Sequence, residues 1–288
     1  MARISPPLRL EKLGEHLRDL RDGRGLKLSD AAAATGMSVA KISRMENGTN
    51  QVTSGDVDNL LDVYEADEGT RIVCMQLVEQ SQLPPWWKSH QKALYTPYIA
   101  LETEAREKRS WQPLLIPGLL QTPEYARAVI AADRPWETTD LLTMLVRARM
   151  ARKWVLTCDD PLMMHVVIGE EALRRPTGGQ EVMARQLDHL LQVVERPNIT
   201  VRIMPSSVGA HAGMAGPFLL LTFPDMPTAL FRESGADGMI DQGPQVEEFE
   251  KRWHHIVAAA LPPEASMDLI ASIRGEAAHA DLAVDHRV

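Results

Sequence analysis

A chain of 288 residues is long enough for about two domains with a sizeable core, and its 44% hydrophobic and 24% charged content is that of a soluble globular protein. No apolar run approaches the ~18 residues of a membrane span, the N-terminus MARISPPLRL lacks a leader pattern, and the two cysteines, Cys74 and Cys158, have neither disulfide-framework nor zinc-ligand spacing. These features place the protein in the cytoplasm and exclude a membrane partner, while the net charge of −8 argues against nucleic acid only until the charges are located: the first 53 residues hold nine basic and six acidic side chains, so a head of +3 precedes a body of −11.

Leu10, Leu13, Leu17 and Leu20 recur at helical spacing, which predicts an amphipathic helix over 8–23. An Ala-rich helix is predicted over 28–35, with Gly36 supplying a left-handed turn. Ser38 then caps a helix that runs to Asn47-Gly48, and Ser54 caps a fourth with Val57, Leu60, Leu61 and Tyr64 inward. Ile72, Val73, Met75, Leu77 and Val78 predict a fifth, ended by the two prolines of QLPPWW. The chain is thus mainly α, an N-terminal five-helix bundle over 1–80, a linker over 81–93, and a larger region over 94–288.

That larger region reads as mixed α/β. A helix is predicted over 94–109, PLLIPGLL is a packed irregular segment, and Thr122-Pro123-Glu124 opens a helix to about Ala132. Thr139 opens another to about Leu156. LMMHVVI, ITVRIMP, PFLLLTF and TALFRES read as strands, QEVMARQLDHLLQVVE as a helix with Val182, Leu187, Leu190, Leu191 and Val194 inward, and 246–261 as helix, with a frayed tail from about Gly275.

The second and third helices have helix-turn-helix spacing, in which the later helix enters the major groove of duplex DNA. Ala32 is small where the helices cross, and Met37, Ile42 and Met45 clamp the third helix from within. Ser38, Val39, Ala40, Lys41, Ser43 and Arg44 then face outward. GLKLSDAAAATGMSVAKISRMENG resembles the helix-turn-helix of phage-repressor or xenobiotic-response-element (XRE) regulators, which implies a lambda-repressor-like bundle and double-stranded DNA as partner. By that resemblance Arg44 reads a base edge, with guanine O6 and N7 the fitting acceptors for a forked cation. Val39 and Ala40 can at most meet a thymine methyl, while Ser38, Lys41, Asn47 and Thr49 hold phosphates. Arg21 and Glu46 occupy the positions of a structural ion pair. Lys27 departs from the usual Ser or Thr cap, leaving a weak helix start or Ser29 as the cap.

From Leu94 onward, LETEAREKRSWQPLLIPGLLQTPEYARAVI, HVVIGEEALRRPTGG and LLQVVERPNITVRIMPSSVGAHAGMAGPFLLLTFPD resemble the DUF5753 domain of actinobacterial regulators. The resemblance implies a DNA-binding transcriptional regulator, not an enzyme and without cofactor. A lone helix-turn-helix covers only about half an operator, so the C-terminal region is expected to hold two heads as a homodimer and to carry control, with a small-molecule effector as a candidate partner. The alternative the resemblance carries is an antitoxin-like protein that sequesters a small DUF397-type partner. GAHAGMAGP is either a strand-connecting loop or a ligand loop through His211 and Gly213; it lacks the Lys and Ser/Thr of a phosphate loop. Adjacent His254 and His255 lack a third ligand, so no metal is expected. Glu170, Glu171, Arg174 and Arg175 read as a surface charge cluster or an anion site. Trp86, Trp87, Trp111, Trp136, Tyr95, Tyr98 and Tyr125 gather an aromatic supply for core packing or for a ligand or subunit surface.

Overall fold

The computed structural model describes residues 6–50, 52–82, 96–232, 239–241 and 243–284. The chain divides into two compact units, a helical head and an α/β body.

The head comprises α1 (Pro6–Gly23), α2 (Leu28–Thr35), α3 (Val39–Glu46), α4 (Ser54–Val63) and α5 (Glu68–Ser81). Each helix buries one stripe: Leu13 and Leu17 of α1, Ile42 and Met45 of α3, and Leu60 and Leu61 of α4 meet Tyr64 in one core. Several details refine the sequence expectation or depart from it. Ala31, not Ala32, is the fully buried small residue of α2, and Ala32 packs at the margin. Thr53 rather than Ser54 caps α4, its hydroxyl accepting the Asp56 N–H at 3.2 Å. On α5, Ile72 and Val73 are exposed while Cys74, Leu77 and Val78 are buried, because Cys74 falls on the inward stripe that Ile72 and Val73 leave. Burial pushes the Cys74 thiol up to about 11. Lys27 is the N-cap of α2, and Ser29 lies inside the helix; the start is held by Asp30, whose carboxylate accepts the Lys27 N–H at 2.8 Å.

In the body, α6 (Thr96–Glu104), β1 (Glu107–Gln112), α7 (Pro123–Asp133), α8 (Thr139–Arg152) and β2 (Met163–Gly169) are followed by α9 (Glu170–Arg174), α10 (Gln180–Val193) and β3 (Ile199–Met204). Then come β4 (Phe218–Thr222), β5 (Ala229–Arg232), β6 (Met239–Asp241), α11 (Gln245–Ala259) and α12 (Pro263–Val284). The six strands form one sheet in the order β3-β2-β1-β4-β5-β6. β1, β2 and β3 are parallel and joined by helical crossovers, whereas β4, β5 and β6 run antiparallel as a meander. β2 is covered on both faces, which is why VVI is an unbroken apolar run rather than an alternation.

The sequence expectation of one helix over 94–109 is corrected here: the helix stops at Glu104, and EKRSWQ is the central strand β1. The tail also differs, since α12 continues through Gly275. α12 and the connection leading into it protect the edge strand β3: Ile203 donates its N–H to Ser266 Oγ of α12 at 2.9 Å and accepts the N–H of Leu261, in the connection, at 2.9 Å. On α10 the buried face is Met183, Gln186, Leu187, Leu190 and Val193, so Val182, Leu191 and Val194 lie at its margin. Trp111, Tyr98 and Tyr125 are buried, Trp136 is 76% exposed, and Trp86, Trp87 and Tyr95 lie outside the described residues. Among the described residues no single helix is long and apolar enough to cross a membrane.

Candidate nucleic-acid interface

The turn between α2 and α3 is closed by Gly36 at φ +71, a conformation that costs a side-chain-bearing residue about 1 kcal/mol or more. Ser38 follows as N-cap and accepts the Lys41 N–H at 3.2 Å. From this start the 3.6 period sends Ile42, Met45 and Glu46 inward and leaves Val39, Ala40 and Arg44 exposed, Val39 at 45%, with Ser43 half-buried beside them.

The C-terminal end of α3 is fastened to α1. Arg21 makes a forked pair with Glu46, Nε to Oε1 and Nη2 to Oε2 both at 2.8 Å, and its Nη1 donates to the Leu26 carbonyl at 2.9 Å. Tyr64 adds its hydroxyl at 3.5 Å from Glu46 Oε1; burial, then the Glu46 charge, push the phenol up. Arg18 donates to the Glu46 carbonyl at 2.8 Å and to Asn47 Oδ1 at 2.7 Å, so Asn47 is oriented from α1. Two glycines permit this approach. A Cβ on Gly14 would lie 2.6 Å from the Glu46 oxygen, and one on Gly48, itself at φ +62, would lie 2.7 Å from Glu11 Cα. Thr49 N–H and Oγ1 both donate to the Arg44 carbonyl, at 3.0 and 3.3 Å.

The two basic side chains of α3 differ sharply. Lys41 Nζ donates to Asp56 Oδ1 at 2.6 Å, and the Lys41 hydrogen bond, against some burial, holds that carboxyl below its ordinary value. The guanidinium of Arg44 is exposed and meets no acid among the described residues. Arg18, Asp56 and Gly14 were not singled out in the sequence. Arg18 is visible there only as one helical turn before Arg21, and Asp56 only as a first-turn acid of α4.

In the body, the loop with His211 and Gly213 is folded onto Trp111. The indole Nε1 donates to the Gly213 carbonyl at 2.9 Å, the His211 ring stands edge-on to Trp111 with centroids 5.2 Å apart, and a Cβ on Gly213 would sit 2.6 Å from the indole. The space beside Gly213 is therefore occupied by core. Arg174 bridges Glu170 at 2.6 Å and Glu276 at 2.9 Å, an ion-paired surface arrangement, while Glu171 accepts from the neutral Ser206 Oγ at 3.0 Å. Among the described residues no group of three His, Cys, Asp or Glu side chains is placed to hold a metal ion.

A family model described as a helix-turn-helix domain matches residues 12–71. With the capped α2–turn–α3 geometry, that match gives the chain a helix-turn-helix domain, the mark of a DNA-binding regulator. A second model, described as a domain of unknown function (DUF5753), matches residues 95–272, more than half of the chain, and the protein belongs to that family. No curated protein and no solved structure matches it.

Proposed function

We propose that the protein is a sequence-specific transcriptional regulator of the XRE type in which α3 lies in the major groove and Arg44 reads a guanine edge. The observation that carries this reading is the contrast on α3: among the described residues Arg44 is exposed without an acidic partner, whereas Lys41 is held by Asp56. A free forked cation flanked by small side chains, Ala40 and Ser43, can meet guanine O6 and N7 bidentately. Val39 and Ala40 offer only apolar surface, suited to a thymine methyl. Ser38, Asn47 and Thr49 take phosphate contacts that fix register, with Asn47 positioned by Arg18. Lys41 is a weaker phosphate ligand than its charge suggests, because binding DNA requires it to leave or share Asp56. A single helix-turn-helix covers about half an operator, so the body serves as the dimerising element that spaces two heads about one helical turn of DNA apart.

The test is selection of a binding site from random duplexes, followed by titration of that site and its single-base variants. Arg44→Ala should lose about 1–3 kcal/mol of specific affinity and relax preference at one base pair in each half-site. Unchanged affinity and preference in that variant would remove Arg44 from the readout.

A further inference from the structure

The body contains a cavity of about 450 Å3 between the amino-terminal ends of the parallel strands and α11. Register explains its lining. Arg109 of β1 pairs with His165 of β2, which pairs with Thr200 of β3, and Val167 pairs with Arg202. Side chains alternate across a strand, so all of these share one face with Glu107. α11 roofs that face with Trp253, His254 and Val257.

The charges on this wall are unequally matched. Arg109 is 14% exposed and sits between two acids, its Nη2 3.1 Å from Glu250 Oε1 and its Nε 3.8 Å from Glu107 Oε2. His165 Nε2 lies 3.5 Å from the other Glu107 oxygen. Among the described residues Arg202 donates to a backbone carbonyl, that of Leu261 at 3.3 Å, and pairs with no carboxylate. Arg202 is partly exposed, so an anion entering the open cleft can replace the hydration of its guanidinium with a forked, charge-assisted pair. The cleft also has an apolar side, formed by Val167, Trp253 and Val257.

We infer that this cleft binds a small monoanionic carboxylate with an apolar body, its carboxylate forked on Arg202 and its body against Trp253 and Val257. The planar guanidinium matches a carboxylate by two parallel hydrogen bonds. The wall holds two guanidinium cations, Arg109 and Arg202, against two carboxylates, Glu107 and Glu250, both of which lie at Arg109; a single negative charge can pair locally with Arg202, whereas a phosphate dianion would meet added repulsion from both acids. The size is that of ordinary small-molecule sites, about 300–1,000 Å3. This inference concerns the body alone, and its test contains no DNA, so its failure leaves the assignment of α3 untouched.

The full-length protein would be titrated calorimetrically with benzoate and hexanoate, with their neutral amides benzamide and hexanamide, and with inorganic phosphate at matched ionic strength. The acids should bind saturably and at least about tenfold more tightly than the amides, the loss expected when a charge-assisted pair becomes a neutral one. Arg202→Gln should bring the acids down to the amides, and Arg202→Lys should recover part of the difference. Val257→Glu, which keeps Arg202 and places a carboxylate in the cleft, should abolish acid binding even if Arg202→Gln fails to fold. Acids that do not saturate, amides that bind equally well, phosphate that binds more tightly than either acid, or Arg202→Gln and Val257→Glu proteins that bind like the parent would each overturn the inference.

Discussion

Lys41 Nζ on the third helix lies 2.6 Å from Asp56 Oδ1 in the first turn of the fourth, and Thr53 Oγ1 donates to the other carboxylate oxygen at 2.8 Å. The intramolecular acid therefore competes with DNA phosphate for the same ammonium. Asp56→Asn should release Lys41 and raise affinity for random-sequence duplex, with the slope of log affinity against log salt steeper by about one counterion. Lys41→Ala in the otherwise unaltered protein should change that slope by less. Equal slopes for Asp56→Asn and the parent would show that Lys41 does not reach phosphate even when freed.

The crossing of α1 and α3 rests on Gly14 and Gly48, since a Cβ at either would overlap backbone of the opposing segment. Backbone cannot swing aside as a flexible side chain does, so the helices must separate. Gly48→Ala adds the strain of a positive φ, and together these should cost about 2 kcal/mol or more in denaturant unfolding of the head. Gly23→Ala is the control: nothing lies within 4 Å of its Cβ position and its φ is not positive, so it should be neutral or stabilise by up to about 1 kcal/mol. Similar losses at both positions would mean that the crossing does not depend on close backbone approach.

The head was legible because its signals are local. Leucines every third or fourth residue, a turn glycine and a serine cap determine where helices begin, end and face, and α2 spans the residues its pattern indicates. The body was less legible because its decisive contacts are distant in sequence. EKRSWQ has the charge density of a surface helix, yet it is the centre of the sheet, and Lys108 is tolerated there because Glu102 accepts its ammonium at 2.7 Å. Gln186 looks like a solvent-facing residue of α10. It is buried because its amide donates to the Leu120 carbonyl at 2.8 Å and accepts the Thr122 N–H at 2.6 Å, which turns the helix away from the face suggested by Val182 and Leu191. On α3 the sequence assigns a base edge to Arg44 and a phosphate to Lys41, but that Lys41 is engaged within the protein depends on the position of Asp56, fifteen residues on.

Glu46 is 4% exposed and holds Arg21, itself 11% exposed. Removing one partner of such a pair strands the other charge. Glu46→Gln should therefore destabilise the head by about 3 kcal/mol or more, whereas replacing both, Arg21→Met with Glu46→Leu, should cost clearly less. Denaturant midpoints of the three variants check the order. A double variant as unstable as Glu46→Gln alone would show that packing, not the stranded charge, dominates.

Glu102 gives the body a dependence on acid. It is 1% exposed and accepts Lys108 Nζ at 2.7 Å, Arg152 Nη2 at 3.0 Å and the Tyr98 hydroxyl at 2.5 Å on Oε1, with Arg152 Nε on the other oxygen at 2.9 Å. Burial by itself drives the carboxyl up, but the two cations and their hydrogen bonds together outweigh it and hold the group well below the usual carboxylate range. A carboxylate depressed in the folded state contributes stability that is fully present above its unfolded value, about 4.3, and is lost as pH falls toward the folded value. The melting temperature of the body should accordingly decline as pH is lowered below about 5. Glu102→Gln should melt lower than the parent at neutral pH, with Lys108 and Arg152 left without their acid, and the gap should narrow on acidification. A gap that stayed constant from pH 7 to pH 3 would mean that the Glu102 charge does not contribute to the stability of the sheet.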